Sequence, residues 1–274
     1  MLQVLKANGQ REEFNEEKVM SSIKRARIPQ NLQNQVLAHI KNIIYDGIPT
    51  VEIYQSILEF LGKSEHPYSK ARYSLKEAIM LLGPTGYPFE DFIAKILQAL
   101  GYTTKVRQIL MGKCISHEID VIAKKENKTY MIEAKFHNNI GIRSEVHVAL
   151  YTHARFLDVK EKNILDEAWL VTNTKTTTEA NAYALCSGLK IISWSLPEGE
   201  SLRDMIEKAR LHPITILNSL SHSSKIALLN NHIIMCKDIH ENPHSLDLLP
   251  LSKEEKTQTL AEAAYIYQNE QNGF

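Results

Sequence analysis

Cysteine is scarce in this 274-residue chain: Cys114, Cys186 and Cys236 are odd in number, widely spaced and form no C-x-x-C pair. A disulfide scaffold and a structural zinc site are therefore not expected, and a reducing cytoplasm is the natural setting. Long apolar runs are missing too. The longest, Ala78 to Leu82, is far too short to cross a bilayer. Lys6, Arg11 and an acidic cluster interrupt the first twenty residues, so no secretory leader is expected there. Neither sign of charge is in excess, since 32 basic residues meet 32 acidic ones. Phosphate binders usually carry a basic surplus, so neutrality at first argues against a nucleic-acid partner.

What is present is enough apolar residue, 43% of the chain, to build real cores. The length suits about two domains with an appendage. Gly83-Pro84-Thr85-Gly86 punctuates two helical patterns and marks one boundary; His212-Pro213 marks another. Three segments result, 1–83, 84–212 and 213–274. They hold eleven basic and nine acidic groups, seventeen and sixteen, and four and seven, so the total conceals an acidic C-terminal segment.

The first segment reads as a hairpin followed by helices. Asn8-Gly9 is a two-residue hairpin signal, with Phe14 on the returning arm. Asn15 suits an N-cap, with Glu16 and Glu17 in the first turn where the helix dipole favours anions. Apolar spacing predicts further helices over 30–45, 50–61 and 68–82. The second segment alternates: a helix from Phe89 to Leu100, strands at Ile119–Ala123 and Tyr130–Phe136, a helix over 145–157, a strand at Ala168–Thr172, a helix over 177–187 and a strand at Leu189–Ser193. That order predicts a mixed sheet flanked by helices. The third segment is helical throughout. The expected class is thus a multidomain α+β or α/β protein.

The strongest chemical signal is Asp120 followed by Glu133-Ala134-Lys135. Glu133 and Lys135, two apart on one strand, share a face, and a hairpin can bring Asp120 beside them. Two carboxylates make a hard, oxygen-rich site suited to Mg²⁺ or Mn²⁺. A solvated hairpin face with a surface Glu–Lys pair fits the bare pattern as well. Glu133 and Lys135 nevertheless interrupt an otherwise apolar strand, where uncompensated charge is costly, and this points to a polar cleft.

The order helix–strand–Asp–strand–E-A-K–helix–strand–helix–strand resembles the PD-(D/E)XK nuclease fold, and within it the Mrr-type restriction endonucleases. Tyr87-Pro88-Phe89-Glu90-Asp91-Phe92 resembles the family's opening helix, His117 to Ala123 with Glu133 to Lys135 its active-site hairpin, and Trp169 to Thr174 with Ala180 and Leu189 to Ile192 its closing strand–helix–strand. The resemblance implies metal-dependent phosphodiester hydrolysis, with Asp120 and Glu133 as metal ligands, Lys135 as the catalytic lysine and Glu90 as a further acid. Ser116-His117-Glu118 stands where Mrr proteins commonly have glycine-rich sequence; His117 could reach substrate or be an ordinary strand histidine. Arg143, His147 and Lys175 could meet phosphates or simply face solvent.

Val4 to Val19, then Tyr45 to Thr50 and Tyr68 to Tyr73, resemble the ATP-cone, a nucleotide-sensing module. The resemblance implies ATP or dATP as a regulatory ligand held by Lys6, Glu12, Asn15, Lys18 and Thr50. Ala7 stands where the family often has arginine. Leu217 to Leu229 resembles a helix-hairpin-helix unit with Ser221 to Ser224 as its hairpin, and a second, weaker unit covers Leu248 to Ala264. Without glycine in the hairpin and with net acidic charge, packing or dimerisation is favoured over DNA contact.

The combined expectation is a cytoplasmic, nucleotide-regulated, Mg²⁺-dependent endonuclease. Its partner is nucleic acid, double-stranded DNA first, and the chain is expected as a homo-oligomer, dimer or larger. The alternatives are an RNA-cleaving nuclease and a non-catalytic nucleotide sensor that only holds nucleic acid. Bound Mg²⁺ would make such a site more positive than the sequence suggests, so overall neutrality does not exclude a phosphate substrate.

Overall fold

The computed structural model describes residues 2–6, 9–26, 28–64, 68–83, 85–139 and 141–272. Packing divides the chain into two compact units, 1–76 and 77–274.

In the first unit, strands β1 (Gln3–Leu5) and β2 (Arg11–Glu13) pair antiparallel. Lys6 N–H donates to the Gln10 carbonyl at 2.8 Å and Gly9 takes a φ of 80°. The ladder therefore extends to Lys6 and Gln10. Asn8 itself lies outside the described residues, as does Ala7. Helix α1 (Glu16–Arg25) starts as expected: Asn15 Oδ1 accepts the Lys18 N–H at 3.1 Å, satisfying a donor the helix leaves open. Helix α2 (Gln30–Ile43) leads to β3 (Ile48–Pro49), parallel to β1, and then to α3 (Thr50–Gly62) and α4 (Tyr68–Met80). Ile23, Val36, Ile40, Ile48, Ile57 and Leu61, spaced at helical and strand intervals, form the buried core.

The second unit begins with α5 (Tyr87–Ala99), whose buried side chains include Phe89, Phe92, Ile93, Ile96 and Leu97. Pro84, inside the expected linker, lies outside the described residues. Strands β4 (Thr103–Met111), β5 (Ser116–Lys125) and β6 (Lys128–Lys135) follow as an antiparallel meander. After β7 (Arg143–Ser144) and α6 (Val146–Lys160), β8 (Glu167–Thr172) pairs parallel with β6. Strand β9 (Lys175–Thr176) lies parallel to β7; α7 (Thr178–Ser187) returns the chain to β10 (Lys190–Ile192), parallel to β8. Among the described residues the main sheet runs β10-β8-β6-β5-β4. This is the mixed sheet expected, with β4 as an added edge strand. Val148, Ala149, Phe156 and Val159 of α6 and Ala180 and Ala184 of α7 pack with Met131 and Leu170 of the sheet.

Helix α8 (Leu202–Ala209) closes the sheet region, and α9 (His222–Asn230), α10 (Cys236–Glu241) and α11 (Lys253–Asn272) follow. These C-terminal helices belong to the same unit as the sheet. Lys95 of α5 pairs with Asp238 of α10 at 2.8 Å, and Thr215 Oγ1 donates to the Ala78 carbonyl at 2.6 Å. One expectation is corrected. Ser221–Ser224 is no hairpin between two helices: Ser221 Oγ accepts the Ser224 N–H at 3.1 Å and caps α9, while the preceding residues form only a 3-10 turn at Ile214–Ile216. Serine suits a turn and a helix N-cap alike, and with no helix leading into this stretch the cap prevails. Among the described residues no helix is long and apolar enough to cross a membrane. Cys114 and Cys186 are exposed and Cys236 is buried, with no disulfide among the described residues.

Candidate active site

Strands β5 and β6 pair from Lys125 and Lys128 as far as Val121 and Ile132, and then diverge. Beyond that point β6 keeps β8 as its partner, with Glu133 opposite Leu170 and Lys135 opposite Thr172. The divergence would leave the Ala134 N–H without a ladder partner. Asp120 supplies one: its Oδ2 accepts that N–H at 2.7 Å. Met131, Glu133 and Lys135 share one face of β6, and Met131 packs into the core beneath α6. The strand thus carries Glu133 and Lys135 at the end where the sheet opens, with Lys128 at the other.

Glu90, in the first turn of α5, is 8% exposed. Burial, then the charge of Asp120, push its carboxyl up to about 7. Burial also raises Asp120, and burial followed by the Asp120 charge raises Glu133, to which Glu90 adds. The three carboxyl groups therefore feel one another. Opposing cations are close by: Arg107 Nη1 donates to Glu90 Oε2 at 3.1 Å, and Arg155 pairs with Glu133 Oε2. Lys135 lies near enough to favour the charged forms of Asp120 and Glu133, and among the described residues it has no ion-pair partner.

These oxygens suit a hard divalent cation. Two carboxylates, with a third in electrostatic range, form a negative cluster that repels itself, and a cation relieves that repulsion. As they stand, no three His, Cys, Asp or Glu side chains among the described residues converge at metal-holding spacing. Arg155 instead neutralises Glu133.

The other expected residues separate clearly. His117 Nε2 is bound to Asp158 Oδ2 at 2.8 Å, and that contact, the largest of several, holds the Asp158 carboxyl well below its ordinary range. Pairing within the fold accounts for this histidine. Arg143 and Lys175 are exposed and sit opposite each other on β7 and β9, and His147 lies exposed beside Glu145. In the first unit, Lys6, Glu12, Asn15, Lys18 and Thr50 all line one cavity of about 320 Å³, together with Tyr54 and Tyr73, whose rings stack at 5.4 Å. Glu12 bridges Lys6 and Lys18, and the hydrogen bonds from Lys18 and Lys6 hold its carboxyl down at about 2. A larger cavity of about 680 Å³ between α2 and α3 contains none of the five.

Residues 2–77 match the ATP cone domain, 82–206 the restriction endonuclease (Mrr catalytic) family and 212–267 the AF1548-like, C-terminal family. An uncharacterized protein of Archaeoglobus fulgidus is 38% identical over 172 residues, which is 62% of this chain and 97% of that protein. The chain belongs to the AF1548-like family. The crystal structure of AF1548, a protein of unknown function, is 34% identical with a TM-score of 0.59, covering 68% of this chain and all of that one. Can2 from Sulfobacillus thermosulfidooxidans, solved with cyclic tetra-adenylate, is 14% identical with a TM-score of 0.30 over 67% of this chain and 60% of that one, too slight a likeness to inform function.

This AF1548-like protein thus joins an ATP cone to a nuclease domain of restriction-endonuclease type. Sequence reading missed three of the groups around its carboxylates. Arg155 carried a signal: it falls on the stripe Val148, Thr152, Arg155, Val159, whose other members are buried and mostly apolar. Arg107 takes a φ of 50° opposite Asp120, between the Val106–Val121 and Gln108–Ile119 pairs, and no residue pattern announces that. Asn173, fully buried after β8, binds the backbone of His137 just past Lys135.

Proposed function

We propose that this AF1548-like protein is a Mg²⁺-dependent endonuclease of double-stranded DNA, gated by ATP or dATP at its ATP cone. The observation that carries the reading is the gathering of Asp120, Glu133 and Glu90 about the opening between β5 and β6, with Lys135, which has no ion-pair partner among the described residues, beside them. Asp120 and Glu133 would hold the cation, which when bound supplies an acidified water and charge neutralisation at phosphorus. Lys135 orients the attacking water and stabilises the extra negative charge on the phosphate. Glu90, pushed up to about 7, can accept or return a proton near neutral pH. Arg107 keeps its carboxyl aimed into the cluster.

In the ATP cone, Lys6 and Lys18 face each other across Glu12, and a triphosphate can take the place of that carboxylate. Asn15 serves as helix cap and contact, and Thr50 opens α3 at the cavity wall. Nucleotide binding then changes assembly, as a dimer or larger, and so controls cleavage. Cysteines without disulfides suit a cytoplasmic setting.

The deciding experiment incubates the purified chain with duplex DNA and with RNA, each with Mg²⁺ or EDTA and with or without ATP or dATP. Mg²⁺-dependent DNA cleavage that Asp120→Ala abolishes supports the reading; its absence under every nucleotide condition overturns it. Cleavage of RNA alone would move the substrate assignment.

A further inference from the structure

Arg155 lies on the buried side of α6, 8% exposed. Its Nη1 pairs with Glu133 Oε2, its Nη2 donates to the Glu118 carbonyl, and its guanidinium sits 5.3 Å from the centre of the Tyr151 ring. Its Nε–H is buried without a hydrogen-bond partner. A buried arginine that serves stability alone ordinarily satisfies its donors, because an unpaired one keeps the full cost of its lost water. This one leaves a donor unmade while engaging an oxygen of a carboxylate that belongs to the cluster.

We propose that Arg155 guards Glu133. The guanidinium stands in for the cation, offsetting the Glu133 charge while no metal is held, and must give up Oε2 before a divalent ion can be bound there. This rests on the reading of Asp120 and Glu133 as ligands. Arg155 acts through Glu133, so it is a positioning residue, and it sets the metal concentration at which the site fills. Two positive groups cannot share one carboxylate oxygen at contact distance without strong repulsion. The tie to the Glu118 carbonyl keeps the released side chain close enough to return when metal leaves.

The test measures free Mn²⁺ by paramagnetic resonance during titration of the whole chain in mildly alkaline buffer, where protons compete least. Arg155→Gln is expected to bind Mn²⁺ at least about tenfold more tightly than the native chain, and Arg155→Lys, which keeps the charge, to stay near the native value. Unchanged or weaker binding by Arg155→Gln overturns the guard. If that variant does not fold, the native chain answers instead: the Arg155 side-chain ¹⁵N resonances must move on saturation with Mg²⁺, and still resonances overturn the proposal. Glu133→Gln separates the two readings. If it binds Mn²⁺ like the native chain, the ligand assignment fails; if it binds weakly while Arg155→Gln gains nothing, only the guard fails. Absence of binding in both the native chain and Arg155→Gln overturns both.

Discussion

Asn173 and His137 exchange two hydrogen bonds: the Asn173 Oδ1 accepts the His137 backbone N–H, and its Nδ2 donates to the His137 carbonyl, each at 2.9 Å. An amide side chain here replaces a strand partner for the residue two beyond Lys135. The end of β6 is thereby held although its ladder has stopped. Replacing Asn173 with Ala is expected to cost roughly 1–3 kcal/mol for each buried group left unpaired, read as a lower midpoint in urea unfolding. An unchanged midpoint would show that the clamp contributes nothing.

Cleavage should depend on the proposed lysine and ligand far more than on Glu90. Lys135→Ala and Asp120→Ala are each expected to lower Mg²⁺-dependent cleavage by about a hundredfold or more, the scale of losing one charge-stabilising group. Glu90→Gln should lower it less and flatten its pH profile near neutrality. Plasmid cutting followed on gels with Mg²⁺ or EDTA measures all three; full activity in Lys135→Ala would refute the assignment.

The raised carboxyl of Glu90 has a stability consequence of definite sign. Folding lifts it from 4.5 to about 7, chiefly through burial and then the Asp120 charge. Between those values the folded chain keeps a proton that the unfolded chain has released, so stability falls as pH rises through this window. Glu133, raised to about 7 chiefly by burial and then the Asp120 charge, adds to this fall. His137, held below its ordinary value by burial and then the Lys135 charge, opposes it within the window. Depressed carboxyls such as Glu12 and Asp158 act below it. In EDTA the thermal midpoint should therefore fall from about pH 4.5 towards 7, and Glu90→Gln should lessen the fall. A midpoint that rises equally in both proteins would contradict the shift.

Lys6→Ala and Lys18→Ala should each weaken ATP and dATP binding by about tenfold or more, the worth of one charge-assisted hydrogen bond. Calorimetric titration measures it. Undiminished affinity in both variants would remove the Glu12-bridged cavity as the nucleotide site.

Much of this was legible because it is local. Asn15 announces its helix, Gly101 ends the apolar stripe of α5, and the two-residue spacing of Glu133 and Lys135 fixes their common face. All five nucleotide candidates reach one cavity because a hairpin and the starts of two helices are each set by nearby residues. Strand β4 was illegible, for charged and polar residues such as Lys105, Arg107 and Gln108 blur its alternation at the sheet edge. The partners of Glu133 and His137 lie 22 and 36 residues away, and no periodicity encodes such pairings. The start of α9 misled for the opposite reason: Ser221 to Ser224 carries hairpin and cap chemistry alike, and only the absence of a preceding helix selects the cap.

Asp238 does two jobs with one carboxylate. Its Oδ2 accepts the N–H groups of Ile234 and Met235, each at 3.0 Å, while both oxygens receive Lys95 from α5. A stretch of sequence that matches its own family is thus tied by this carboxylate to the helix that carries Glu90. Cutting the chain after residue 212 would strand the Lys95 ammonium on the helix that carries Glu90 and strip the covering from that helix's flank. The C-terminal helices therefore act as a wall against which the Glu90-bearing helix is set, tying its position to residues beyond the nuclease-type segment.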